Sequence, residues 1–406
     1  MIPAGVGSGV ELRQRCFSAS EFSDKFYAEL YASGNGEEEF WYFDVPNEYV
    51  DALPSGTTYG QGPFREVRLL VDGKIAGAAL PYPIFFTGGI VPTAWRPITS
   101  YGALDLPTYF LGNQLILAGY PLLVKLTPST DLTAFVPLLT DGQPHLFQID
   151  VVSAEAEHTI LPNWYVSGLL QVVTDSSSKR TTGKLISYNA EPFAQTSITG
   201  EVGDNGDVNI TVTASRKIQI TADILSGSGK RNHVVFLQDL QYINQQNYLN
   251  NALVQNVYQL ASGHVLSTHN NIPALVDTFS YPLTINYTSL DSNGSFWSTL
   301  FDHSYDRILL PSPFILGSTI NERQIADGFF KVASTGNSGN GTSNNTFNYI
   351  DLAGNTYTRR VNAALNNITF DEEGGSLAHA KTSVHVAPQN NVFGGARLPG
   401  GRTRGM

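Results

Sequence analysis

Apolar and polar residues alternate along many short segments of the chain, which is the pattern of strands in a half-buried β-sheet. The first clear case is residues 66–71 (EVRLLV), where apolar side chains occupy every second position. Asp72 and Gly73 follow, a pair that tolerates the left-handed backbone of a tight hairpin turn. Residues 75–80 return as the partner strand, and Pro81 ends it because proline has no N–H for the ladder. This stretch therefore predicts a β-hairpin.

The same alternation recurs after residue 200, at 208–214, 218–224 and 234–243. Residues 247–261 fit a helical stripe as well as a strand, so the pattern leaves their conformation open. Many short strands with turn signals between them are typical of packed antiparallel sheets. We therefore predict an all-β fold of two packed antiparallel β-sandwich domains, jelly-roll-like, with long loops and a disordered C-terminal tail.

The predicted divisions follow changes in composition along the chain. A polar, basic stretch at 176–183 is typical of a linker, and the end of the chain (GGARLPGGRTRG) has little to bury. These features divide the chain into a poorly ordered N-terminus (1–23), a first domain (24–175), a second domain (184–370) and a disordered tail (371–406).

The bulk composition fits a globular protein and excludes several classes of partner. Of 406 residues, 42% are hydrophobic and 15% charged, enough for a core. The net charge of −11 disfavours nucleic acid, whose phosphates such a surface repels. The most apolar stretch, 110–126, is too short and too interrupted by polar residues to span a membrane. Cys16 is the single cysteine, so no disulfide can form within the chain. We also expect the protein to be a monomer.

Six Asn-x-Ser/Thr triplets, which are glycosylation acceptors in secreted proteins, all fall in the second half of the chain. Chance is the alternative, because Asn, Ser and Thr are common there. The first thirty residues do not have the layout of a signal peptide. We predict a secretory protein whose natural N-terminus lies upstream. The candidate sites are Asn209, Asn286, Asn293, Asn340, Asn344 and Asn367.

A run of acidic and aromatic residues at 37–43 (EEEFWYF) is the first stretch with candidate chemistry. In an extended conformation, Glu39 and Trp41 share one face. A carboxylate beside an indole suits a sugar: the ring stacks on the pyranose and the carboxylate takes a hydroxyl or a proton. The alternative is an acidic, solvated start to a strand, followed by core aromatics.

The second stretch combines glycines, a tryptophan and an arginine. Gly88 and Gly89 permit close approach of the backbone, and Trp95 and Arg96 follow just before Pro97. Because a residue before proline is extended, Arg96 is predicted to project from an ordered loop. The alternative makes Trp95 a core residue and Arg96 an ion-pair partner within the structure.

Several ordered motifs resemble the peptide-N-glycosidase A family, the peptide-N4-(N-acetyl-β-glucosaminyl)asparagine amidases of plants and fungi. Residues 38–42 (EEFWY) are similar to the family's EEFWY, and residues 63–77 (PFREV, VDG, AG) to its PFREV…IDG..AG run. Residues 83–98 resemble its PFPVIFTGGI…WRPI, and residues 105–145 its DLP…DLTPFLPLLxDGxxH. The match covers about residues 37–172, including WYV at 164–166; the second half resembles the family more loosely.

Two differences from the family pattern lead to expectations about the chain. The family normally carries another β domain before the EEFWY motif, so the resemblance implies truncation at the N-terminus. About twenty additional residues, 110–130, separate two motifs and are expected to be an insertion. Ala134 also stands where the family usually has proline.

The resemblance implies hydrolysis of the amide that joins N-acetylglucosamine to asparagine in N-glycosylated peptides or proteins, without a cofactor. Such a reaction needs a positioned water, a carboxylate for its proton, an acid for the leaving amine and donors for the oxyanion. We take Glu39 as the acid/base, with Asp105 as a second carboxylate, and Arg96 as the group that holds a carbonyl or sugar oxygen. Trp41 and Trp95 are the stacking platforms, beside the Gly88-Gly89 corner.

Other classes of chemistry find no support in the sequence. No spacing suggests a Ser-His-Asp or Cys-His nucleophile, and no His/Cys/Asp cluster suggests a metal. Asp72 and Asp141 are predicted to form turns, and His145 lies on a core-facing stripe with Phe147, so we predict structural roles for all three. Three functional classes stay open: an active amidase, a glycan-binding, lectin-like remnant without catalysis, and a structural secreted β protein.

Overall fold

The structure, a computed structural model, describes the backbone of residues 13–17 and the residues 20–83, 130–310, 317–365 and 367–378. Antiparallel strands dominate these ranges, and the predicted all-β fold of packed sheets is confirmed. None of the helices in the described ranges is long and apolar enough to cross a membrane.

Two small sheets form the N-terminal module, by which we mean the described residues up to 174. One has the strand order β1-β6-β3-β4 and the other β5-β2-β7. A short α-helix, α1, precedes β6. The bounds are β1 Arg13–Phe17, β2 Ser23–Gly34, β3 Glu66–Val71, β4 Lys74–Ala79, β5 Thr130–Asp131, α1 Val136–Leu139, β6 His145–Val152 and β7 Trp164–Thr174.

The predicted hairpin is confirmed as β3 and β4. Asp72 and Gly73 form its turn with φ of 47° and 76°, the left-handed conformation that this pair was expected to supply. Val67, Leu69 and Val71 are buried. The opposite, polar face of β3 is buried as well, because another layer of the molecule covers it.

That second layer is one large sheet of eleven strands. Its strands follow chain order from β10 to β18, and β8 and β9 pair with different halves of β10. The order is a meander, which differs from the interleaved order of a jelly roll. The bounds are β8 Thr182–Ala190, β9 Gln195–Val202, β10 Val208–Leu225, β11 Arg231–Leu249, β12 Val254–His269, β13 Ile272–Ser289, β14 Phe296–Leu310, β15 Ser318–Lys331, β16 Ser338–Asp351, β17 Thr356–Ala364 and β18 Asn367–Gly374.

Burial alternates residue by residue along these long strands. The ambiguous segment 247–261 contains the end of β11 and the start of β12. Asn250, Asn251 and Ala252 between them all have positive φ, from 54° to 59°. A helix is excluded there because right-handed helices need negative φ at every residue.

The two layers share a core. One contiguous cluster of buried apolar side chains contains residues of both the N-terminal module and the large sheet. A buried ion pair and a hydrogen bond also join the layers: Arg216 contacts Glu66 at 2.5 Å, and Arg68 donates to the Pro192 carbonyl at 2.7 Å. The predicted division into domains at 24–175 and 184–370 stays a prediction. β1 lies within 1–23 and β18 extends to Gly374, and the predicted lack of order in the N-terminal segment and the tail stays a prediction too.

Candidate functional site

The acidic and aromatic run at 37–43 forms a compact turn. Two short 3₁₀ helices, Gly36–Glu38 and Trp41–Phe43, follow the end of β2. Gly36 has φ of +63°, and a Cβ at Gly34 would lie 2.3 Å from the carbonyl oxygen of Glu38. The prediction that Glu39 and Trp41 share one face of a strand is therefore wrong. Glycines at 34 and 36 allow the backbone to turn at once, which the run itself does not reveal.

Trp41 is part of the core. Its side chain is 5% exposed, and its ring packs against Trp164 at 5.4 Å and Tyr42 at 5.3 Å between centroids. An indole with both neighbours in place has no free face for a sugar. The prediction of Trp41 as a stacking platform is wrong, and the alternative of a core aromatic is the correct one.

Glu38 lies at the centre of a fully buried network. Its carboxylate accepts hydrogen bonds from Arg65 Nε at 2.7 Å and Nη2 at 2.8 Å, and from Trp164 Nε1 at 2.5 Å. The backbone N–H of Leu161 donates a further bond at 2.6 Å. Bidentate pairing with a guanidinium satisfies a buried carboxylate and fixes its geometry. Sequence reasoning chose Glu39 from this acidic pair and did not predict the buried, structural role of Glu38.

Asp44 shares the same guanidinium, at 3.1 Å from Arg65 Nη2. Burial raises the pKa of Asp44 well above its usual range; Arg65 opposes this shift, and Glu38 adds to it. Because one guanidinium faces two buried carboxylates, its single positive charge does not compensate both, and Asp44 is the one left with less compensation.

Glu39, the next residue after Glu38, has no such partner. It is half-buried, and within the described ranges no side chain forms a hydrogen bond or ion pair with its carboxylate. Desolvation raises its pKa above the ordinary value. Its charge also contributes, after burial, to the strong rise in the pKa of Tyr42, so the two side chains are near each other. A carboxyl group with a raised pKa is suited to exchange a proton with a substrate.

Side chains of the large sheet donate hydrogen bonds to the backbone carbonyls of this turn. Asn244 Nδ2 donates to the carbonyl of Tyr42 at 3.1 Å, and Gln246 Nε2 donates to that of Asp44 at 3.0 Å. Tyr248 donates its hydroxyl to the carbonyl of Phe43 at 3.0 Å. Three consecutive carbonyls are thus fixed by one strand, β11. Glu39 accordingly stands at the junction of the two layers, where ligand sites are common.

Five of the predicted site residues lie outside the described residues. They are Gly88, Gly89, Trp95, Arg96 and Asp105. Their predicted roles stay predictions.

The three residues predicted to be structural are so in the structure. His145 is buried, and its ring nitrogens lie 2.7 Å from Asp72 Oδ2 and 3.0 Å from Asp141 Oδ1. Asp72 and Asp141 each stand in a turn and accept backbone N–H groups from Leu146 and Gln143. The imidazole therefore joins two turns of the N-terminal module.

A second titratable cluster was not foreseen. Buried Asp131 accepts from Ser267 Oγ at 2.7 Å and pairs with His269 Nε2 at 2.9 Å; although burial opposes the shift, these contacts hold its pKa below the usual range. Asp131 stands opposite Tyr27 on β2, seven residues or roughly 23 Å of strand from Gly34. It joins β5 to β12 and is remote from Glu39. Nothing in the sequence linked Asp131 to His269, 138 residues later.

All six candidate glycosylation residues are exposed, and five of them stand on strands of the large sheet. In the described ranges, no group of three or more His, Cys, Asp or Glu side chains is placed to hold a metal ion.

Comparison with known proteins gives consistent results for both layers. The family model for peptide N-acetyl-β-D-glucosaminyl asparaginase amidase A matches residues 13–119 and 122–191, and the model for the C-terminal domain of the same family matches residues 209–283. The break at 120–121 falls inside the expected insertion.

One curated relative is the peptide-N4-(N-acetyl-β-glucosaminyl)asparagine amidase A of Prunus dulcis. It is 32% identical over 263 residues, which are 62% of this chain and 41% of the relative. The chain thus spans less than half of the length of this relative. No solved structure matches the chain.

Proposed function

Because the chain belongs to the peptide-N4-(N-acetyl-β-glucosaminyl)asparagine amidase A family, we propose that it hydrolyses the bond between N-acetylglucosamine and asparagine in N-glycosylated peptides. Water adds its oxygen to the amide carbonyl carbon, and the C–N bond breaks. The peptide keeps an aspartate, and the glycan leaves as a glycosylamine.

Glu39 is the proposed acid/base. As a carboxylate it takes a proton from the attacking water, and as a carboxylic acid it returns that proton to the departing nitrogen. The observation that carries this role is the environment of Glu39: desolvation raises its pKa, and no described cation neutralises it. A rigid turn held by β11 supports the precision that proton transfer needs.

Arg96, Trp95 and Asp105 complete the proposal as the substrate-holding cation, the stacking ring and a second carboxylate. They rest on the family resemblance alone. Trp41 has no place in the site, because its ring is buried.

The proposed setting is the secretory pathway, where the substrates of such a reaction occur. Its support is the exposure of all six Asn-x-Ser/Thr acceptor residues. Treatment of the purified, natively expressed protein with a glycan-removing enzyme, followed by mass measurement, tests this setting: no loss of mass contradicts it.

The activity is tested with Glu39→Gln, which keeps the shape of the side chain and removes the acid/base. We expect release of glycans from a denatured glycopeptide to fall by about 100-fold or more. The readout is the conversion of the glycosylated asparagine to aspartate, followed by mass spectrometry.

Glu37→Gln is the matched control, because Glu37 lies in the same turn and is exposed. It is expected to keep full activity. Unchanged release by Glu39→Gln removes Glu39 from the mechanism. If the unaltered chain binds glycopeptides and releases nothing, the glycan-binding alternative replaces hydrolysis.

A further inference from the structure

The outer face of the large sheet carries a groove of about 460 Å³ across strands β9 to β12. It lies on the side away from the N-terminal module. Asn244 of β11 points inward to the Tyr42 carbonyl, whereas its neighbour Ile243 lines the groove. Because consecutive strand residues face opposite sides, the groove and the Glu39 turn lie on opposite faces of the sheet. We call this hollow the outer groove.

The first row of side chains across the outer groove is polar in one half and aliphatic in the other. Thr213 stands opposite Ser197 on one side and Ile243 on the other, and Ile243 stands opposite Leu260. Opposed side chains in such a ladder are about 5 Å apart at Cβ. The row is therefore a continuous strip, with two aliphatic side chains beside two hydroxyls.

The second row is entirely polar. Ser215 stands opposite Gln195 and Gln241, and Gln241 stands opposite Ser262. Gln241 donates to Asp239 at 2.7 Å, which leaves its carbonyl oxygen for other contacts. Within the described residues, the hydroxyls of Ser215 and Ser262 have no hydrogen-bond partner, so they are available to a ligand.

An aromatic side chain lies beside the outer groove, and the nearest two charged side chains form an ion pair. Tyr258, two residues before Leu260 on the same face, is 40% exposed at the rim. Among the described residues, no charged side chain lines the groove. The nearest charged row, beyond Ser215 and Gln241, contains Lys217 and Asp239, whose charges face each other at 3.7 Å.

We propose that the outer groove binds a neutral oligosaccharide. A pyranose presents C–H groups on one face and hydroxyls around its edge, and an aliphatic strip beside a row of amides and hydroxyls matches both. An anionic ligand finds no cation among the described side chains that line the groove. An extended peptide finds no unpaired backbone groups on the floor of the groove, because β10 and β11 are each paired on both sides. The groove thus gives the molecule a carbohydrate site that is separate from the proposed hydrolysis.

The test is titration of the full chain with free sugars, which contain no amide bond to a peptide and so do not depend on catalysis. The probes are a neutral oligomannose glycan and tetra-N-acetylchitotetraose, followed by calorimetry or NMR. We expect saturable binding of at least one probe. Ser262→Arg, which fills the groove, is expected to weaken that binding at least tenfold, and Tyr258→Ala about three- to tenfold.

Asn348→Arg is the matched control, because Asn348 is exposed on β16 of the same sheet, well away from the groove. It is expected to bind as the unaltered chain does. The proposal is overturned if neither probe saturates up to about 10 mM, or if Ser262→Arg binds as tightly as the control. If the chain hydrolyses glycopeptides but does not bind the free sugars, the proposed hydrolysis stands and the proposed carbohydrate site in the outer groove is overturned.

Discussion

Glu38 and Glu39 are consecutive residues in one turn, and their surroundings differ in every respect that matters to a carboxylate. Glu38 is fully buried and accepts four hydrogen bonds, two of them from a guanidinium. Glu39 is half-buried and has no described partner, and desolvation raises its pKa. The difference shows that burial alone does not predict the role of an acidic residue. The partners of its carboxylate do, because oxygens that are already hydrogen-bonded serve the structure, whereas oxygens without a partner are left for a substrate.

The largest effect on stability is expected for Glu38→Gln. The substitution leaves the Arg65 guanidinium buried with only Asp44 as a counter-charge, and removal of one partner from a buried pair costs about 3 to 5 kcal/mol of unfolding free energy. Chemical denaturation measures it. Glu37→Gln, exposed in the same turn, is the control and is expected to leave the midpoint unchanged. A cost for Glu38→Gln within error of the control contradicts the structural role of the pair.

A smaller loss is expected for Trp164→Phe. It removes the indole N–H that donates to Glu38 at 2.5 Å, and a hydrogen bond to a charged group contributes about 1.5 to 3 kcal/mol. A double-mutant cycle with Glu38→Gln isolates this bond from the packing of the ring. We expect the loss to shrink in the Glu38→Gln background. Equal losses in both backgrounds assign the whole effect to packing.

The smallest effect on stability is expected for Glu39→Gln, and its size depends on pH. The folded-state pKa of Glu39 lies above the unfolded value, so the folded chain binds its proton more tightly. Its contribution is fully present below the unfolded pKa and is lost as pH rises through the folded pKa. Relative to the Gln variant, the unaltered chain should therefore lose stability as pH rises above about 4.5. The measurement is the free energy of unfolding of both chains from about pH 3 to about pH 8, roughly the range over which such a carboxyl group titrates. A difference between the two free energies that stays constant over this range contradicts the raised pKa.

The turn at 36–44 also shows where sequence reasoning about the site was limited. The resemblance made EEFWY a candidate functional stretch, and the proposed role of Glu39 within it stays a prediction. Strand geometry then placed Trp41 beside Glu39, which is wrong, because glycines on the preceding side let the chain turn. The partners that make Glu38 structural, Arg65 and Trp164, are 27 and 126 residues away. No local pattern connects residues at such separations.

By itself, the sequence determined the strands, the Asp72-Gly73 hairpin and the all-β class, because alternation with a period of two and turn-forming pairs are local properties of the chain. Tertiary structure decided which polar residues are buried with partners, such as Glu66 and Asp131. It also decided which strands are covered on both faces. It decided as well that eleven of the described strands join into one sheet, with the nine from β10 to β18 in chain order, and that a groove opens on the outer face of this sheet. Those outcomes depend on contacts between distant residues, which periodicity along the chain does not contain.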